Sequence, residues 1–395
     1  MATDSTSASR DPARRCSSTS ELFGGIFARG GVAAEVDDCA WLRAMLDVEA
    51  ALARACAAEG LIPREAAETI AAACRAGDLD IAAMGREAAE SATPVIALVG
   101  VLRERVGSEV AEHVHAGSTS QDILDTGAML VAARALRPLL EDASAAAEVA
   151  AALADAHRDT VLPGRTLLRQ ALPMCFGLKA AGWLMGIEEA VAGLVAVRDE
   201  VLAVQMGGPV GDRDPAIAAR VAADLGLVDP VLPWHTHRAR PVALAAALGT
   251  LAGALAKVAL DVALLAQDEV AEVREGGGAG RGGSSAMPHK QNPVAAVAVR
   301  ASAERVPGLV ASMFGAMAQE HERAAGAWQA EWGTLTDLLR LTGSAAAWAH
   351  DLLEHLEVDA ERMRQHAQAM PSRSDGGAAG ELIDRALLAH RAARR

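Results

Sequence analysis

Three polar stretches interrupt an alanine-rich chain, and each carries residues suited to proton transfer or anion binding. The first is Gly283-Ser284-Ser285-Ala286-Met287-Pro288-His289-Lys290-Gln291-Asn292-Pro293. It follows a glycine-rich run from Gly276, so its backbone is loose. It offers a hydroxyl (Ser284), a cation (Lys290) and an amide (Asn292) at close spacing. Asn292-Pro293 reads as a helix start, with Asn as the N-cap and Pro at the first helical position. Lys290 then sits beside free amide donors at the positive end of a helix, which is a place for an anion. The second stretch is His113-Val114-His115-Ala116-Gly117-Ser118-Thr119-Ser120-Gln121-Asp122, where Ser118 and Gln121 have capping-box spacing. The third is Gly164-Arg165-Thr166-Leu167-Leu168-Arg169-Gln170, read as a loop before a helix that Pro173 opens. Pro233-Trp234-His235-Thr236-His237-Arg238 adds another cation ahead of a helix.

The elements that position these stretches read as helices. Aromatic residues are 3% of the chain, tyrosine is absent, and strong helix formers dominate. The fold class is all-α, a long central bundle with smaller helical regions at each end. We expect a disordered tail over 1–20 and an N-terminal helical domain over 21–110. A central long-helix domain spans 111–356 with its polar loop at 276–293, and a shortened helical region covers 357–395. Within the centre, a helix starts near Ser118 and runs towards His157, with Pro138 as a point of kinking. Another covers Val242 to Arg274, roughly 50 Å at 1.5 Å per residue, and a further one runs from Val294 to Leu356. Helices faced mostly with alanine bury little area each, so they need neighbours on several sides. That predicts a homo-oligomer.

Net charge is −14, which argues against nucleic-acid binding and means that a site for an acidic substrate must be locally positive. No charge-free apolar run predicts a membrane partner. The five cysteines are scattered without CxxC spacing, which predicts reduced thiols and a cytoplasmic protein. Gly278-x-Gly280-x-x-Gly283 follows a helix, so no dinucleotide cofactor is expected. The pairs His113/His115 and His235/His237 lack further ligands at metal spacing, so no metal is expected either.

The succession Ser-Ser-x-Met-Pro-x-Lys-x-Asn-Pro resembles the signature of the fumarase/aspartase superfamily. The resemblance covers about residues 20–370. Thr119, Ser120 and Gln121 match its Thr-Ser-x-Asp element, whose hydroxyls and helix amides bind substrate carboxylates, and His115 matches a histidine found ahead of it. The resemblance implies a cofactor-free addition or β-elimination beside a carboxylate, with Ser284 as the proton-transfer residue and His115 as a second catalytic group. It implies Thr119, Ser120, Gln121, Arg238, Lys290, Asn292 and Arg165 as ligands of a small polycarboxylate, Arg165 with the alternative of holding its own loop. It further implies a homotetramer with sites shared between subunits. Most members carry Gly-Arg-Thr-His where this chain has Gly164-Arg165-Thr166-Leu167. The histidine serves a leaving amine, whereas a carboxylate, with a pKa of about 4, departs unaided. Leu167 therefore points to the carboxymuconate cycloisomerase branch, which closes a lactone in aromatic catabolism. Trp234-His235-Thr236-x-Arg238 and Glu320-His321-Glu322-Arg323 resemble that branch too. The alternatives are a C–N or C–O lyase acting on a succinyl compound and a non-enzymatic, crystallin-like oligomer.

Overall fold

The computed structural model describes residues 21–394 apart from 76, 78, 279–280, 288, 369 and 371–376. The tail expected over 1–20, Pro288 and most of the segment 372–380 lie outside the described residues.

The order begins with α1 (Glu21–Phe27), α2 (Val32–Glu35), α3 (Asp38–Ala58), α4 (Arg64–Cys74), α5 (Ile81–Ser91), α6 (Pro94–Val106) and α7 (Ser108–Ala111). The centre holds α8 (Ser120–Ala156), a hairpin of β1 (Val161–Thr166) and β2 (Arg169–Cys175), then α9 (Phe176–Glu200), α10 (Pro215–Leu225) and α11 (Ala239–Leu265). It continues with β3 (Val273–Glu275), α12 (Val294–Ala303), α13 (Val306–Gly315) and α14 (Ala327–Glu354). The chain closes with β4 (Leu356–Val358), α15 (Ala360–Gln368) and α16 (Ala379–Ala393).

Local chemistry sets several helix starts. Asp37, Asp80, Thr93 and Asp214 each accept a hydrogen bond from an amide of the first turn of α3, α5, α6 and α10. Such a cap is worth about 1 kcal/mol. Proline occupies the first position of α6 and α10, where its missing N–H costs nothing.

The bundle forms where α8 packs on α9 and α14, and α11 on α9, α12 and α14. On α8, Ala143, Ala146, Ala147, Ala150 and Ala154 recur at helical spacing and are fully buried. Such a stripe lets neighbouring axes approach closely. Leu136, Leu139, Phe176, Leu184 and Ile187 supply the bulk, each about 1.5–3 kcal/mol when buried. At the start of α9 a Cβ on Gly177 would lie 2.5 Å from the Ala154 carbonyl, so only glycine fits there. Both α9 and α11 are long and apolar enough to cross a membrane, with mean hydropathy of 1.5 and 1.8. Their placement inside this bundle accounts for that composition. A second apolar cluster joins α3, α4 and α6 to the first turn of α8 and to α10.

Several expectations change. α8 runs as one unbroken helix of 37 residues, with Pro138 inside it. The helix expected over Val242–Arg274 ends at Leu265 and gives way to a turn and β3. The long helix after Val294 is three helices, with a loop between Gly315 and Ala327. The stretch around Arg165 is no loop: Val161 pairs with Cys175 and Thr166 with Arg169, and α9 begins at Phe176 rather than Pro173. Leu167 and Leu168 form the two-residue tip, both with left-handed φ (49° and 63°). That geometry favours Asn-Gly, which hid the hairpin from the sequence. Cys56, Cys74 and Cys175 are free and buried, but Cys39 is disulfide-bonded, against the expectation of reduced thiols throughout.

Candidate active site

The first part of the site is built on the start of α8. Thr119 is the N-cap, and its hydroxyl and the Asp122 carboxylate form a reciprocal capping box. The box lies one residue later than the Ser118/Gln121 pair suggested. Asp122 is fully buried. It accepts from the amides of Thr119 (3.1 Å), Gly207 (3.0 Å) and Gly208 (2.9 Å), from Gln205 Nε2 (3.2 Å) and from His235 Nε2 (2.9 Å). One carboxylate thus ties the 207–213 loop and the Trp234-His235 segment to the α8 start. Gly207 is required there, since a Cβ would lie 2.6 Å from Pro233 Cβ.

His115 precedes this cap with a left-handed φ of 62°. Its Nδ1 lies 2.6 Å from Glu49 Oε1, and Glu49 is a buried residue of α3. A buried carboxylate at one ring nitrogen fixes the imidazole plane and leaves Nε2 for chemistry. Thr119 and Ser120 are half-buried beside it. His235, by contrast, is committed to Asp122.

Three ligands expected from the sequence, Arg238, Gln121 and Arg165, are engaged as internal struts. Arg238 is only 2% exposed. It donates to Asp125 (2.7 and 3.0 Å), to Glu331 (2.9 and 2.5 Å) and to the His235 carbonyl (2.9 Å). Trp328 Nε1 also donates to Asp125 at 2.9 Å. No donor of the guanidinium is left for a substrate. Gln121 is buried likewise and donates to Asp125 (2.9 Å) and the His235 carbonyl (2.8 Å). Arg165 forks onto Glu272 (2.9 and 2.7 Å), which also meets His366 Nδ1 at 2.7 Å, so it holds the hairpin base.

The second part is the loop after β3. Ser284 Oγ accepts from the amides of Ala286 (3.3 Å) and Met287 (3.2 Å), closing a tight turn that presents the hydroxyl. Lys290 is exposed and makes no ion pair among the described residues. Asn292 does not cap α12: its Nδ2 donates to the Gly282 carbonyl at 2.9 Å and closes the loop base. The α12 amides expected to be free are taken, those of Ala295 and Ala296 donating to Glu275 at 2.9 Å each. Arg281 pairs with Asp351 near the end of α14.

The two parts lie at opposite ends of the bundle. His235 and Arg238 sit at the start of α11, whose 27 residues end at Leu265. The Leu265 carbonyl accepts from the amide of Glu272, at the root of the second part. At 1.5 Å per residue that is about 40 Å. The 28 residues of α14 give the same result: Glu331 lies near its start, and His355, at its end, accepts from the amide of Gly276. Within one chain, Ser284 and His115 therefore cannot reach one small molecule.

Four residues to which the sequence assigned no role complete the first part, Glu49, Asp122, Arg213 and Arg323, although Asp122 and Arg323 lie in stretches that it marked. Arg323 donates to the Gly208 carbonyl and has no carboxylate partner among the described residues. Burial pulls its pKa down, while Asp122 and Asp125 act against that. The signal for Arg323 was present in a polar run within an alanine background, but Arg213 stands between Asp212 and Asp214 with nothing beside it in sequence that marks a site. A cavity of about 910 Å³ elsewhere, lined by Phe27, Trp41, Met84 and Trp332, also exposes Asp38 and Asp337. Arg305 and Arg340 line it as well, and it holds none of the residues above.

A family model described as lyase matches residues 29–308. A 3-carboxy-cis,cis-muconate cycloisomerase of Bradyrhizobium diazoefficiens is 45% identical over 359 residues, 89% of this chain and 80% of that protein. A nitrosuccinate lyase of Streptomyces davaonensis is 45% identical over 350 residues, 84% of this chain and 74% of its own length. The crystal structure of 3-carboxy-cis,cis-muconate lactonizing enzyme from Pseudomonas putida superposes with a TM-score of 0.84 at 37% identity, covering 95% of this chain and 89% of the other.

Proposed function

The chain belongs to the fumarase/aspartase superfamily of lyases, and on that premise we propose that it closes 3-carboxy-cis,cis-muconate to a carboxymuconolactone. One substrate carboxylate oxygen adds to the β carbon of a C=C bond. The electron pair moves to the α carbon and into the adjoining carboxyl group, giving an aci-carboxylate. A proton then reaches the α carbon. Ser284 is the proton-transfer residue, and Lys290 lies in the same loop to hold the growing negative charge. Thr119, Ser120 and the α8 amides bind a carboxylate. Arg323 supplies the cation that Arg238 cannot. His115, oriented by Glu49, faces the same anion.

The observation that carries this reading is the hairpin tip. Leu167 is 96% exposed and Leu168 81%. Both hold a left-handed backbone that costs ~1–2 kcal/mol per residue. An apolar tip in place of an acid suits a reaction whose migrating group is already a stable anion. The ~40 Å between the two parts supports a homo-oligomer in which opposite ends of different copies meet. A tetramer with sites shared between subunits satisfies this, with the tip reaching a neighbour's site.

The nitrosuccinate lyase relative supports a second reading, elimination of a nitrogen group from a succinyl compound. Nitrite also leaves as a stable anion, so Leu167 fits it as well. One experiment separates the two: purified protein is given 3-carboxymuconate and its diene absorbance is followed, while nitrite release from nitrosuccinate is measured in parallel. Loss of the diene absorbance is the expected result. Nitrite release with the diene left intact would replace the first reading by the second.

A further inference from the structure

Arg213 is the cation in the first part of the site that the reaction above does not use. Its amide donates to the Gly207 carbonyl, closing the 207–213 loop. Its guanidinium crosses to the turn that carries His115 and Thr119. There Nη2 donates to the Ala116 carbonyl at 2.8 Å and to Cys56 Sγ at 3.1 Å, and Nη1 donates to Ser118 Oγ at 3.1 Å. Gly117 lies directly beneath, where an added Cβ would meet the guanidinium at 3.5 Å.

Every acceptor it has is neutral. No carboxylate lies within ion-pair distance among the described residues, and its Nε is buried without a partner. Such groups are rare in folded proteins, and each asks for a reason. The placement sharpens the question. Arg323 donates to the Gly208 carbonyl, and Arg213 Cβ lies 3.7 Å from where a Gly208 Cβ would be. Two arginines without carboxylate partners among the described residues thus flank one glycine, Arg323 with its guanidinium and Arg213 with its Cβ, while Arg238 takes two carboxylates to itself. An anion there would also be next to the α8 start.

We propose that Arg213 is a specificity-determining residue, which together with Arg323 forms a subsite for one carboxylate of the substrate and selects polycarboxylates with three charges over those with two. Its fixed contacts to Ala116 and Ser118 hold the guanidinium in place before the anion arrives, so little ordering remains to be done on binding. The proposal rests on the polycarboxylate reading above, but its test does not require turnover.

Binding to the assembled protein is measured by calorimetry with two unreactive probes, propane-1,2,3-tricarboxylate and succinate. The wild type, Arg213→Met and Arg213→Lys are compared, with urea midpoints as a folding control. The expected result is tighter binding of the tricarboxylate by the wild type. Arg213→Met should lose about tenfold for the tricarboxylate and under about threefold for succinate, while Arg213→Lys, which keeps the charge but not the fork, retains part of the preference. In turnover the Met variant should raise KM and leave kcat within about threefold. The proposal is overturned if the wild type shows no preference, if Arg213→Met leaves the preference unchanged, or if Lys and Met lose both probes equally with the same fall in urea midpoint. Selectivity that depends on Arg213, in a protein that does not turn over the muconate, would overturn the reaction assigned above and leave this subsite standing.

Discussion

Arg238→Met separates a strut from a substrate ligand. Arg238, Asp125 and Glu331 have side chains only 2–5% exposed. Burial pushes the Glu331 carboxyl up, and Arg238 opposes that push. Removing the cation strands two carboxylates in a low-dielectric interior, which costs about 3–5 kcal/mol. With ~2.1 cal/mol/K of unfolding entropy per residue, a chain of this length shifts its midpoint by about 1.2 °C per kcal/mol, so a fall of roughly 4–6 °C follows. The assay is urea and thermal unfolding at fixed protein concentration, because assembly adds to apparent stability. Neutralising the whole cluster with Asp125→Asn, Arg238→Met and Glu331→Gln together should recover more than half of the loss, since no charge is then left unpaired. If Arg238→Met keeps its midpoint and instead raises KM at least tenfold, the guanidinium serves substrate and the reasoning fails.

Other outcomes follow from the same geometry. Ser284→Ala should lower kcat by 100-fold or more with little change in stability, and full activity would remove Ser284 from its role. Mixing and reassembling Ser284→Ala with His115→Ala protein should restore part of the activity, because a shared site can then draw one intact part from each variant; no recovery would count against sites built from opposite ends. Burial raises the Asp142 carboxyl above its usual 3.8, with Glu141 adding to it and His350 and Arg29 opposing. The folded state therefore binds the proton more tightly than the unfolded chain, and this group's contribution declines as pH rises through the interval above 3.8. Asp142→Asn should match the wild type below that interval and exceed it near pH 7 in urea midpoints. Burial also pushes the Cys74 thiol up to about 12, so alkylation mapped by mass spectrometry at pH 8 should leave it unmodified in native protein and label it in urea.

The sequence was most informative where structure is local. Alanine-rich composition was enough for the all-α class, and the starts of α3, α6 and α10 are written beside them in Asp37, Thr93-Pro94 and Asp214-Pro215, because caps and propensity act within one turn. It was least informative where partners are distant. Nothing near Arg238 reveals that its carboxylates come from Asp125 and Glu331, 113 and 93 residues away. Asn292-Pro293 looked like a cap, but the donors it would serve are held by Glu275, and only β3 brings that residue into reach. The hairpin was missed because leucine fills a turn that usually asks for glycine or asparagine. Naming Ser284 and His115 as a pair required a motif, since their separation within one chain argues against it.

The length of α11 has a consequence for how this chain tolerates insertions. One residue added inside it would advance everything beyond by ~1.5 Å and rotate it by about 100°. The groups at its two ends would lose their angular phase, although neither end had been touched. An insertion of four residues nearly restores the phase but lengthens the helix by ~6 Å. The turn at Ala266–Glu272 and the loop after β3 have no such bookkeeping. Length variation within this fold should therefore gather in those joints, and the helix between them should keep a fixed number of residues even where its alanines are exchanged.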